Sequence, residues 1–131
     1  MKFYLVLFGS AVVGMLTSCE GGTDYERSVR NLTADTLHVS IVSNWDSTAT
    51  DYTVYPGKTK VVMVSSLRGG IEEPQEPLFD VASMIVTNGS DTLKKDVFAM
   101  DAWAIESEHQ KKAPSIWFHA YQLTVVNDDF Q

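Results

Sequence analysis

The strongest constraint on the fold is a run of short segments in which apolar and polar residues alternate, each closed by turn chemistry. Leu37-His38-Val39-Ser40-Ile41-Val42-Ser43 is the clearest, with Leu37, Val39 and Ile41 on one side and His38 and Ser40 on the other. A two-residue period is that of a strand with one buried face. Similar runs are expected at Tyr25 to Leu32, Tyr52 to Tyr55, Lys60 to Leu67, Leu78 to Thr87 and Ser115 to Val126. Pro56-Gly57 supplies a turn, because proline presets φ and glycine accepts a positive one. Asn88-Gly89 reads as a hairpin leading into a short return strand around Leu93. The Tyr25 to Leu32 segment is expected to pair with Leu37 to Ser43 across residues 33–36. Lys60 to Leu67, apolar on both faces, is expected to be central.

Residues 96–112 are ambiguous. Their Ala, Met, Glu, Gln and Lys favour helix, whereas Val97, Trp103 and Ile105 also fit a two-residue period. The favoured reading is an irregular stretch leading into a strand from Ala102 to Glu108. About seven strands, with turns between them and no convincing long helix, predict an all-β fold, an immunoglobulin-like β-sandwich, with a small barrel as the alternative.

Before the first strand the chain has a different texture. Lys2 precedes an apolar stretch from Phe3 to Leu16, and Leu16-Thr17-Ser18-Cys19 follows, with the only cysteine of the chain. A transmembrane helix needs about 20 apolar residues, so the shorter stretch fits a secretory signal peptide better. Leu-x-Ser-Cys resembles the bacterial lipobox. That resemblance implies cleavage before Cys19, acylation of its thiol and new amino terminus, and a lipid anchor. The expected organisation is a signal peptide over 1–18, the acylated Cys19 with a flexible tether over 19–24, and a β-sandwich over 25–131. With no cysteine after Cys19, the domain must hold together without disulfides.

The chain has 17 acidic and 10 basic residues and a net charge of −7. That balance disfavours nucleic-acid binding and electrostatic docking on anionic lipid. The chemistry-bearing residues form no catalytic motif. His38, His109 and His119 make no metal-ligand pair, and no nucleophile elbow or phosphate-cradling glycine loop is present. His119 shares a strand face with Trp117 and Tyr121, which makes it either a weak ligand-binding candidate or a hydrogen-bonded core histidine. Glu106, Glu108 and His109 read as a solvated hairpin end rather than a cation site. Trp45, within Ser43-Asn44-Trp45-Asp46-Ser47, is the aromatic best placed for a ligand-binding loop. No cofactor or metal is expected, and the loop from Glu72 to Pro77 reads as a solvated connection.

The lipobox, Asp35-Thr36-Leu37, Tyr55-Pro56-Gly57, Asn88-Gly89-Ser90-Asp91-Thr92-Leu93 and the closing Tyr121-x-Leu123-Thr124-Val125 together resemble the small lipoproteins of Bacteroidetes-type bacteria. The resemblance carries no activity. It implies a cell-envelope location on the outer membrane, and it implies O-glycosylation at Asp-Ser/Thr signals, with Thr36, Ser47 and Thr92 as candidates. In that lineage several acids after the cysteine mark surface export. Here Glu20 stands alone before Gly21-Gly22, which favours the periplasmic face. The functional expectation is a non-enzymatic interaction or structural module that meets the membrane through its anchor and an envelope protein or glycan through its domain. The alternative is a carbohydrate- or small-ligand-binding accessory lipoprotein.

Overall fold

The computed structural model describes residues 21–131, so the expected signal peptide and Cys19 lie outside the described residues. Seven strands form the domain: β1 (Gly22–Asn31), β2 (Leu37–Ser43), β3 (Ala49–Val54), β4 (Thr59–Arg68), β5 (Val81–Thr87), β6 (Trp103–Lys112) and β7 (Ser115–Val125). They make two sheets, one ordered β4-β1-β7-β6 and the other β3-β2-β5. The fold is the all-β sandwich that the alternating runs predict. Among the described residues no helix is long and apolar enough to cross a membrane.

The core lies between the sheets. Tyr25, Val29, Tyr121, Leu123 and Val125 of the larger sheet meet Leu37, Val39, Ile41, Val54, Met84 and Val86 of the smaller. β2 follows its sequence pattern, with Leu37, Val39 and Ile41 buried and His38 exposed. β6 begins at Trp103 after a single 3-10 turn over Met100–Ala102, as the irregular-then-strand reading of residues 96–112 predicts. The Trp103 indole donates to the Val97 carbonyl at 2.8 Å, which fastens that irregular stretch to the strand it leads into.

Three expectations are overturned. β1 does not pair with β2; it runs antiparallel to β4 and parallel to β7, and residues 32–36 carry the chain across to the second sheet. Asn31 makes that crossing possible. Its side-chain amide donates to the carbonyls of Asp35 and Val54, both at 2.8 Å, while its oxygen accepts from the Thr33 amide and hydroxyl. A buried side chain that satisfies this many partners substitutes for the missing ladder of a hairpin.

Next, β4 is an edge strand and β1 a central one. A bulge opposite Arg27 and Ser28 leaves Val62 without a partner on β1. It changes which side chains face inward, so Val62 is buried while Val61 and Val64 are exposed. Apolar residues on both faces therefore record the bulge and not a central position. Last, residues 22–24, expected in a flexible tether, open β1. Thr23 and Asp24 are buried there, and the Thr23 hydroxyl donates to the Gly69 carbonyl at 2.6 Å. Gly21 is buried as well, with its carbonyl accepting from the Gly69 amide at 3.4 Å.

The strand directions give the sandwich two ends. One, the β1-start end, gathers Gly22, the β2–β3 loop, the loop from Gly69 to Asp80, and the β6–β7 turn. The other, the β1-finish end, gathers residues 32–36, the Tyr55-Pro56-Gly57 turn, the Asn88-Gly89 turn and the closing 3-10 turn over Asn127–Phe130. At Asn88-Gly89 the return strand shrinks to one bridge, Thr87 to Thr92. Gly89 alone takes a positive φ, and Asn88 instead accepts the Ser90 and Asp91 amides through its side chain.

Candidate functional site

The densest polar constellation lies inside the β1-start end. Inward positions of β1 place Tyr25 and Arg27 between the sheets, and both are fully buried. The Arg27 guanidinium meets Asp80, which immediately precedes β5. Its Nη2 donates to the two carboxylate oxygens at 2.9 and 3.1 Å, and both side chains are shut off from solvent. The pair joins the two sheets. Burial alone lowers the Arg27 pKa, and the Asp80 charge and hydrogen bonds oppose that shift. Nε and Nη1 of Arg27 make no hydrogen bond, and the guanidinium carbon sits 5.6 Å from the centre of the Phe79 ring. Phe79 also meets Tyr25 edge-on at 4.9 Å.

The loop from Gly69 to Asp80 closes over these groups. Tyr121 donates through its hydroxyl to the Gln75 carbonyl at 2.8 Å, and burial pushes its pKa above the ordinary phenol value. His119 bonds the Ile71 carbonyl through Nε2 and the Ser107 hydroxyl through Nδ1, both at 2.7 Å. A carbonyl only accepts, so Nε2 carries a hydrogen and donates it to Ile71, while Nδ1 and the Ser107 hydroxyl share the second bond. Thr23 accepts the Ile71 amide at 2.7 Å. The loop is therefore not a solvated connection along its whole length. Glu72, Glu73 and Glu76 face water, while main-chain groups of residues 69, 71 and 75 are held by β1 and β7.

The candidate residues fall in separate places. His119 is fully buried with both ring nitrogens engaged, the core-histidine alternative. Trp45 is 72% exposed on the β2–β3 loop, in the other sheet. Glu106 and Glu108 share one face of β6, whereas His109 lies on the opposite face and stacks on Trp117 with ring centres 4.4 Å apart. Among the described residues no group of three His, Cys, Asp or Glu side chains converges as a metal site. Thr36 is half-buried at the β1-finish end, Thr92 is exposed at that same end, and Ser47 is exposed on the loop of Trp45.

The alternating pattern does not mark Arg27, Asp80 or Asn31 as organising residues. One signal for Arg27 was legible: it occupies an inward position between Tyr25 and Val29, where an unpaired charge would be costly. Nothing in the sequence names Asp80 as its partner 53 residues away.

This constellation positions the loop from Gly69 to Asp80. Ser107 is exposed on β6 and its hydroxyl meets Nδ1 of the buried His119, whose Nε2 holds the Ile71 carbonyl. Exposed apolar side chains occur at Trp45, on the faces of β4 and β5 at Val61, Val64 and Ile85, and at the β1-finish end. Leu32, Tyr55, Phe98, Met100 and Val126, between 39% and 60% exposed, belong to the β1-finish end. Comparison with protein-family models, curated proteins and solved structures finds no match to the chain.

Proposed function

We propose that this chain is a lipid-anchored protein of the bacterial cell envelope, held to the outer membrane through Cys19. Its domain acts there as a non-enzymatic interaction module. One observation carries the interaction reading: five of the nine exposed large apolar side chains among the described residues, Leu32, Tyr55, Phe98, Met100 and Val126, lie at the end of the sandwich opposite the start of β1. Apolar groups clustered on a domain surface mark contact sites for other macromolecules. A module hung from its β1-start end would present that cluster away from the membrane, toward an envelope partner. The lipobox, the resemblance to Bacteroidetes-type lipoproteins and the single acid after Cys19 support the outer membrane and its periplasmic face.

Crosslinking in intact cells, with the tagged chain and its Phe98→Asp and Leu32→Asp variants, tests the reading. A discrete partner captured by the wild type and lost from both folded variants is expected. The same partners captured by all three chains would refute it.

The alternative, a carbohydrate- or small-ligand-binding lipoprotein, rests on Trp45. It has the weaker support, since the other exposed aromatics among the described residues, Tyr55 and Phe98, lie at the opposite end. Glycan binding that disappears in Trp45→Ala would favour it.

A further inference from the structure

We infer that Trp45 is a membrane-interface contact, seated in the lipid headgroup layer beside the anchor. The inference rests on the lipid-anchor reading and deepens it. Two residues separate Cys19 from Gly22, the first residue of β1. Three peptide steps span at most roughly 11 Å. A headgroup layer is about 5–8 Å deep on each side of the bilayer. An acylated Cys19 therefore holds the start of β1 within about 3–6 Å of the headgroup surface, less than the length of an indole side chain.

The β2–β3 loop belongs to that end. β2 runs antiparallel to β5, with Ser43 opposite Val81, and the Asn44 amide donates to the Asp80 carbonyl at 3.0 Å. Asp80 is in turn held by Arg27 of β1. The loop holds its own shape: the Trp45 amide donates to the Ser43 hydroxyl at 3.0 Å, the Thr48 amide donates to the Asp46 carboxylate at 3.0 Å, and Ser47 takes a φ of 58°. What this loop displays is an indole 72% exposed, the most exposed large apolar side chain of the described residues. An indole, with an apolar body and one N–H, suits the region between acyl chains and water.

Charge does not provide the contact. Arg68, Lys111 and Lys112 lie at this end, but so do Asp46, Glu72, Glu73 and Glu76, all exposed. The two signs offset, so zwitterionic lipid suffices. The same placement reassigns Trp45 away from a ligand in the envelope space.

The test uses the full chain, made in a lipoprotein-processing bacterium, extracted in detergent and reconstituted into phosphatidylcholine vesicles with brominated acyl chains. Intact mass reads the state of Cys19 first. Tryptophan emission is then compared between wild type and Trp45→Phe, a substitution at an exposed side chain that leaves the far-ultraviolet circular dichroism unchanged. The emission that Trp45 contributes is expected to fall about twofold or more in brominated lipid. Adding phosphatidylglycerol is expected to change nothing. Acylated Cys19 with equal quenching in both chains overturns the inference alone. Quenching that appears only with phosphatidylglycerol overturns it too, in favour of the basic residues. An unmodified Cys19 overturns the anchor reading and this inference with it.

Discussion

Asp80→Asn is the most informative single perturbation of the domain. The carboxylate lies 2.9 Å from the Arg27 guanidinium, and neither side chain reaches solvent. At an effective dielectric constant near 20, opposite charges at this separation attract by about 6 kcal/mol. Removing two ions from water costs several kcal/mol each, so the net worth of the intact pair is small. Removal of one partner is another matter. Arg27 already leaves Nε and Nη1 without hydrogen bonds, and neutralising Asp80 would leave its charge buried and uncompensated. A loss of about 3–5 kcal/mol is expected, a large part of the roughly 5–15 kcal/mol that stabilises a domain. The assay is equilibrium urea unfolding at pH 7 of wild type, Asp80→Asn, Arg27→Met and the double variant. Both single variants should lose stability, and the double variant should recover most of it, because burying a charge alone is the cost. A loss under about 1 kcal/mol in Asp80→Asn, or a double variant as unstable as the sum of the singles, would refute this reasoning.

Other perturbations probe neighbouring features. Tyr121→Phe removes the only bond from its hydroxyl to the Gln75 carbonyl; a loss of about 1 kcal/mol is expected, with faster proteolysis in the loop from Gly69 to Asp80, and unchanged proteolysis would show that this bond does not hold the loop. Gly70→Ala would bring a β-carbon within 2.6 Å of the Ser115 carbonyl oxygen and closer still to its side chain; a lowered Tm by calorimetry is expected, and an unchanged one would count against this close approach. Burial raises the Glu26 pKa above the ordinary carboxylate range, so the folded state binds the proton more tightly than the unfolded one. Glu26 therefore gives up stability as pH rises through that raised pKa, and regains it on acidification. Glu26→Gln should be more stable than wild type at pH 7, with the advantage shrinking as the pH falls below the folded pKa. An advantage that grows on acidification would reverse the sign of the argument.

The fold class was legible because β2, β5 and β7 carry the period of strands with one buried face, and because Pro56-Gly57 and Asn88-Gly89 close β3 and β5. Sheet membership was not. β1 reads Gly-Thr-Asp-Tyr-Glu-Arg-Ser-Val-Arg-Asn, a composition that suggests a solvated strand or its tether. It is nonetheless flanked on both sides, and each of its polar inward residues has a buried partner or loop contact: Thr23 at Gly69, Arg27 at Asp80 and Asn31 at the crossing to β2. Those partners are distant in sequence, and hydrophobic patterning is blind to them. β4 misled in the opposite sense, since its bulge adds one residue and exposes valines on an edge. His119 illustrates the same limit at a single position. Its face was readable from the period of β7, but its two hydrogen bonds come from the facing strand and from a loop 48 residues away.

The distinction between the two ends of the sandwich joins these results. Trp45 occupies the end where β1 begins, and the exposed apolar residues that include Phe98 occupy the other. That division has functional meaning only if the chain hangs from Cys19. The most direct measurement is fractionation of cells expressing the full chain or Cys19→Ser, with intact mass of the recovered protein. The account predicts that the wild type sediments with the outer membrane, begins at Cys19 and carries added acyl mass, while Cys19→Ser lacks that mass and its processing at this site. A wild-type chain recovered with residues 1–18 still attached and its thiol unmodified would contradict it.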